Sequence, residues 1–143
     1  GSAGDAQHIA AELSGRYLFD RPPLDAEALS VNTSYLTAVA NDYSYDEIFA
    51  RILRAQGHEG DILLAISTSG NSSNILKAID VAKEKNMISI ALTGETGGKM
   101  KEKVDLLLNV PSKETPRIQE SHILIGHILC EVIENSLFSS DNK

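Results

Sequence analysis

The sequence has one cysteine, a deficit of basic residues and no long apolar run, and each absence narrows the possible functions. A single cysteine, Cys130, excludes an internal disulfide, and its apolar helical surroundings favour a buried, unreactive thiol. The 13 basic and 20 acidic residues give a formal net charge of −7. Because nucleic acids are bound mainly through Lys and Arg, this balance argues against a nucleic-acid partner. The acidic excess instead favours a soluble, cytoplasmic protein.

No apolar stretch approaches the roughly 20 residues that a membrane-spanning helix needs, so no membrane association is expected. The sequence also lacks an internal repeat, a low-complexity segment and a change of composition that would mark a linker. At this length, the pattern predicts one domain over residues 1–143.

Periodicity predicts alternating helices and strands. The segment at residues 3–15 has the spacing of an amphipathic helix with Ser2 as its N-cap, and Leu29-Ser30-Val31 has the composition of a short strand. The remaining predicted helices cover 33–40, 45–56, 73–85, 100–104 and 116–138, and the remaining strands cover 62–66, 87–92 and 106–110. This order is typical of an α/β fold with a doubly wound parallel sheet flanked by helices.

The segment Asp61–Ser72 carries the clearest chemical signal. Five apolar residues at 62–66 predict a buried parallel strand, and a hydroxyl-rich turn then leads into a helix. Backbone N–H groups and the positive end of the helix dipole converge on such a turn and favour an anion. The sequence therefore predicts a phosphate seat, which we define as Ser67, Thr68, Ser69 and Ser72, with Gly70 allowing the backbone to turn.

The turn has two other interpretations. The hydroxyls could merely cap the following helix, since Ser and Thr are good N-cap residues. A nucleotide-binding loop of the Walker type is disfavoured, because no lysine follows Gly70.

A second group of residues could bind a metal if the fold brings two helices together. His8 and Glu12 are four residues apart and share one face of the first helix. Gln119 and His127 are eight apart and fall on one stripe of the last helix. Two imidazoles, a carboxylate and an amide oxygen can form a zinc-type site. The alternatives are a surface ion pair for His8 and Glu12, an interior His127 and a surface Gln119.

Four separated motifs resemble the phosphoheptose isomerases of the sugar isomerase (SIS) domain family. The resemblance extends over essentially the whole chain, in the same order. It rests on residues 1–17, the pair Asn41-Asp42, the segment 66–72 (Ile-Ser-Thr-Ser-Gly-Asn-Ser) and the segment 115–127 (Thr-Pro-Arg-Ile-Gln-Glu-Ser-His-Ile-Leu-Ile-Gly-His). It implies a flavodoxin-like fold with a five-stranded parallel sheet. It also implies a helix and a strand upstream of Gly1-Ser2, which this sequence does not contain.

The resemblance implies an activity and a role for each matching residue. Members convert sedoheptulose 7-phosphate into D-glycero-D-manno-heptose 7-phosphate, the first step toward the heptose of bacterial lipopolysaccharide or capsule. The implied catalytic residues are Glu12 and His127, and the implied zinc ligands, for one ion per subunit, are His8, Glu12, Gln119 and His127. The implied substrate-binding residues are Ser2, Glu12, Asn41, Asp42, Ser67, Thr68, Ser69, Ser72 and Gln119.

The resemblance further implies a homotetramer whose site is completed at a subunit interface. The last helix, including Ile125, Leu129 and Cys130, is expected near these contacts. A rival interpretation is a non-catalytic SIS protein that binds sugar phosphates, or the replication initiator, as a regulatory scaffold. Such proteins need not retain a catalytic cluster, so the presence of all four residues of the implied zinc site favours the enzyme.

Overall fold

A computed structural model describes residues 1–139 as one parallel sheet with helices on both faces. The helices are α1 (Ser2–Ser14), α2 (Thr33–Asp42), α3 (Ile48–Gln56), α4 (Ser73–Glu84) and α5 (Thr115–Phe138). The strands are β1 (Ile62–Ile66), β2 (Ile88–Thr93) and β3 (Leu106–Asn109). Short 3-10 helices cover Tyr45–Glu47 and Gly98–Glu102.

The three strands lie in the order β1-β2-β3, and both pairings are parallel. Successive side chains of β1 point to opposite faces, as strand geometry requires. Leu63 and Ala65 face a core that α3 and α4 cover, whereas Ile66 faces a second core formed with α1 and α5. The predicted parallel sheet covered on both faces is therefore confirmed.

The second core fixes the pairing of the first and last helices. Ile9 of α1 and Cys130 of α5 are buried there beside Ile66 and Leu92. Gly126 permits this approach, because a Cβ at that position would lie 2.6 Å from Ile9 Cδ1. Burial raises the pKa of Cys130, in agreement with the predicted unreactive thiol.

Two local predictions were wrong. Leu29-Ser30-Val31 forms a turn instead of a strand, since three residues without a pairing partner gain no ladder hydrogen bonds. Ser2 is the first residue of α1, and Gly1 occupies the N-cap position. Ser72 is the N-cap of α4, but its side chain makes no capping hydrogen bond. No helix among residues 1–139 is long and apolar enough to cross a membrane.

Candidate active site

The phosphate seat lies where β1 ends and α4 begins. Ser67 is almost fully buried, and its Oγ lies 3.0 Å from Ser72 Oγ and 3.5 Å from Ser69 Oγ. The Ser72 hydroxyl thus points into the turn. If it were a simple helix cap, it would instead accept a hydrogen bond from a backbone N–H group of α4. The N–H groups of Ser73 and Asn74 have no intrahelical acceptor at this end of a helix, so they are available to an anion.

Gly70 gives the seat its shape. Its φ is +65°, a left-handed conformation that favours glycine. A Cβ there would also lie 2.2 Å from the carbonyl oxygen of Gly97. The loops after β1 and β2 consequently pack directly on each other, and the N–H of Met100 donates to the Gly70 carbonyl at 3.1 Å.

A cleft of about 240 Å³ adjoins the seat at the carboxyl edge of the sheet. It is bordered by the segments that follow all three strands and by the start of α5, the position where open α/β sheets bind ligands. Its lining residues are Thr68, Ser69, Gly94, Glu95, Thr96, Ser112, Lys113, Thr115 and Ile118. Sequence analysis missed the polar residues after β2 and β3, although their place at strand ends was a usable signal.

His8, Glu12 and His127 come together between α1 and α5. His8 Nε2 lies 3.2 Å from Glu12 Oε1 and 3.1 Å from His127 Nε2. One ligand atom from each residue lies within 4.8 Å of the other two. Two imidazole nitrogens and a carboxylate oxygen that converge in this way fit a zinc-type cation. We refer to these three residues as the triad.

The other predicted site residues are more dispersed. Gln119 lies against Gly1 at the start of α1, close in sequence to Ser2. It precedes His127 by eight residues, about 12 Å of helix rise. Asn41 and Asp42 are exposed on the last turn of α2, which packs on α3 and the first 3-10 helix. Within residues 1–139, no hydrogen bond is found between either of them and the seat or the triad.

Tyr17 borders the triad and was not predicted as a site residue. Its ring stacks on the His127 ring with centroids 5.9 Å apart and an angle of 26° between the planes. Burial, and next the negative charge of Glu131, raise the pKa of Tyr17, so its hydroxyl remains protonated at neutral pH. Tyr17 lies 110 residues from His127 in the sequence, and no spacing pattern could have linked the two.

The seat supports a first prediction. Replacing both Ser67 and Ser72 with Ala removes two hydroxyls, each contributing about 0.5 to 1.5 kcal/mol and more toward a charged oxygen. We expect sugar-phosphate affinity to fall roughly ten-fold or more in calorimetry, with the thermal midpoint little changed. Ser34→Ala together with Ser121→Ala, outside the seat, serves as the matched control. Unchanged affinity in the double variant of the seat would reduce this turn to a structural element.

Comparison with known proteins adds independent findings. A family model described as "SIS domain" matches residues 1–94. The phosphoheptose isomerase of Aneurinibacillus thermoaerophilus is 59% identical over 138 residues, which cover 96% of this chain and 70% of the relative. The phosphoheptose isomerase of Rhodospirillum rubrum is 58% identical over 139 residues, which cover 97% of this chain and 74% of the relative.

Solved structures agree with these relatives. A phosphoheptose isomerase from Francisella tularensis superposes with a TM-score of 0.90 at 45% identity, covering 94% of this chain and 73% of that one. The phosphoheptose isomerase from Neisseria gonorrhoeae superposes with a TM-score of 0.87 at 48% identity, covering 93% of this chain and 71% of that one.

Proposed function

Because this chain belongs to the phosphoheptose isomerase family of SIS-domain proteins, we propose that it converts sedoheptulose 7-phosphate into D-glycero-D-manno-heptose 7-phosphate. The observation that carries the proposal is the convergence of His8, Glu12 and His127 from opposite ends of the chain. A non-catalytic sugar-phosphate binder would need the seat but not this cluster. The proposed reaction is a cytoplasmic step that supplies the heptose of bacterial surface saccharides.

The reaction moves one proton between adjacent carbons through an enediol. Glu12 takes the proton from C1 of the ketose, and its carboxyl group, which can exchange with solvent, delivers a proton to C2. His127 donates a proton to the C2 oxygen and accepts one from the C1 hydroxyl, since histidine exchanges protons readily near neutral pH. Glu12 has a partly exposed side chain, so a substrate can reach its carboxylate.

The triad fits a zinc ion, which His8, Glu12 and His127 would hold, with Gln119 as the proposed fourth ligand. Because a zinc-bound carboxylate is a weaker base, Glu12 would take the proton only while it is not coordinated. Zinc supplies Lewis acidity that polarises a carbonyl and stabilises negative charge on its oxygen. His8 contacts both of the proposed proton-transfer groups, so it orients them toward each other. The seat meanwhile holds the phosphate of the substrate at the carboxyl edge of the sheet.

We further propose that the site is completed between subunits of a homotetramer. Along α5, Thr115 of the cleft and His127 of the triad are twelve residues apart, about 18 Å of helix rise. A second copy could place its own triad nearer to the seat. An exposed apolar stripe, formed by Leu124, Ile128 and Val132 at intervals of four residues, runs along α5 beside His127.

We propose this stripe, in place of Cys130 and Ile125, as the contact surface between subunits. Cys130 is buried inside the subunit, and Ile125 packs against the same core, so both face inward. The stripe lies on the other side of α5 and is the surface that a partner can cover.

Turnover of sedoheptulose 7-phosphate by the purified protein tests the proposed function. We expect formation of the aldose 7-phosphate, detected by chromatography, and its decline after chelation with restoration by zinc. Binding of the sugar phosphate without any product would favour the regulatory alternative.

A further inference from the structure

The ring of His127 has two aromatic neighbours that restrict its orientation. His8 approaches it edge-on, with ring centroids 5.0 Å apart and planes at 65°. Tyr17 lies nearly parallel to it at 5.9 Å. Both arrangements fall in the range of favourable aromatic pairs. His8 belongs to the triad, so Tyr17 is the neighbour whose role the proposed chemistry leaves open.

The backbone of Tyr17 is held by the same helix that carries His127. The buried carboxylate of Glu134, on α5, accepts hydrogen bonds from the N–H groups of Tyr17 at 3.0 Å, Leu18 at 2.7 Å and Phe19 at 3.3 Å. Burial by itself raises the pKa of Glu134, but these three donors and Arg21 lower it below its ordinary value. Glu134 is therefore ionised at neutral pH and fixes the loop as an anion.

Arg21 connects this loop to the end of α1. Its Nε donates to Glu134 Oε2 at 2.9 Å, and both side chains are almost fully buried. Its remaining nitrogens donate to the carbonyl oxygens of Glu12 at 2.8 Å and Leu13 at 2.7 Å. These carbonyls belong to the last turn of α1, where intrahelical donors run out. The Arg21–Glu134 pair thus holds both segments: Arg21 binds the turn that carries Glu12, and Glu134 binds the backbone of Tyr17.

From these contacts we infer that Tyr17 is a positioning residue for the isomerisation. Its ring face sets the orientation of the His127 imidazole. The Arg21–Glu134 pair fixes the positions of Tyr17 and Glu12 relative to α5, which carries His127. The inference rests on the proposed function. Small errors in the placement of proton-transfer groups are costly, since a displacement of about 1 Å can reduce a rate by about 100-fold.

Two substitutions distinguish the contribution of the Tyr17 ring from that of its hydroxyl. Tyr17→Leu removes the aromatic face, and we expect kcat to fall about 10- to 100-fold with KM changed by less than about three-fold. Tyr17→Phe retains the face and should restore kcat to within about two-fold of the wild type. Tyr43→Leu is the matched control, because Tyr43 is exposed and its ring lies over Arg51 instead of the triad.

A spectroscopic measurement makes the test independent of turnover. In protein labelled at histidine and tyrosine, nuclear Overhauser contacts should join the rings of Tyr17 and His127. The nuclear Overhauser contacts between the His127 and His8 rings should change in Tyr17→Leu but not in Tyr17→Phe. This readout reports ring orientation, which a purely structural role of Tyr17 would leave unchanged in a folded variant.

Three results would overturn the inference. They are wild-type kcat in Tyr17→Leu, equal impairment of Tyr17→Phe and Tyr17→Leu, and absence of Tyr17–His127 contacts in the wild-type spectrum. The last applies even if Tyr17→Leu fails to fold. Turnover by the wild type and by Glu12→Gln, measured in parallel, separates the two failures. A wild type without turnover, or an active Glu12→Gln, contradicts the proposed chemistry and not the placement of Tyr17.

Discussion

Glu12→Gln is expected to lower kcat by about 100- to 10,000-fold, the usual cost of removing a general base. The substitution preserves the shape of the side chain but removes its capacity to take a proton from carbon. Arg21 donates to the main-chain carbonyl of Glu12, and the contact of the Glu12 carboxylate with His8 is partly exposed to solvent, so α1 should stay in place without the charge of this carboxylate. Substrate binding should persist, and calorimetry with sedoheptulose 7-phosphate measures it.

The matched control is Glu84→Gln, at an exposed position that ends α4. It should leave kcat unchanged. Turnover of Glu12→Gln close to that of the wild type would show that another group removes the proton, whatever the role of the triad in binding.

Ile128→Glu is expected to abolish assembly and nearly all activity together. About half of the Ile128 side chain is exposed at the centre of the apolar stripe, beside His127. A buried, unpaired carboxylate in a subunit contact is strongly unfavourable. Light scattering should therefore report smaller species, and kcat/KM should fall by at least about 100-fold if each site needs two subunits. Dilution of the wild type should reduce activity in parallel with the oligomer.

Ile62→Glu provides the control for this substitution. Ile62 is also exposed, but it begins β1 at the opposite end of the sheet from the seat. We expect its oligomeric state and activity to match the wild type. A fully active monomeric Ile128→Glu protein would exclude both the shared site and the role of the stripe.

The features that the sequence predicted correctly depend on local patterns. The run at residues 62–66 and the spacing in α5 reflect burial by neighbouring elements, so periodicity was sufficient to identify them. The pairing of His8 with Glu12 follows from helix geometry alone. The approach of His127 to this pair requires α1 and α5 to pack together, and only the family resemblance suggested it.

The features that the sequence did not reveal depend on distant partners. Arg21 and Glu134 are 113 residues apart, and nothing near either residue indicates that they form a buried pair. Tyr17 reaches His127 only because that pair fixes the loop. The Ser72 hydroxyl could equally have capped α4, and nothing in the local sequence indicates that it lies 3.0 Å from the Ser67 hydroxyl instead.

The most direct test of proton transfer by this site is the reaction of sedoheptulose 7-phosphate in deuterium oxide, followed by proton NMR. We predict that the wild-type protein forms heptose 7-phosphate with deuterium at C2 and exchanges the C1 proton of the ketose, while Glu12→Gln does neither. Binding of the ketose with neither heptose 7-phosphate formed nor deuterium at either carbon would contradict the assignment of this protein as an isomerase.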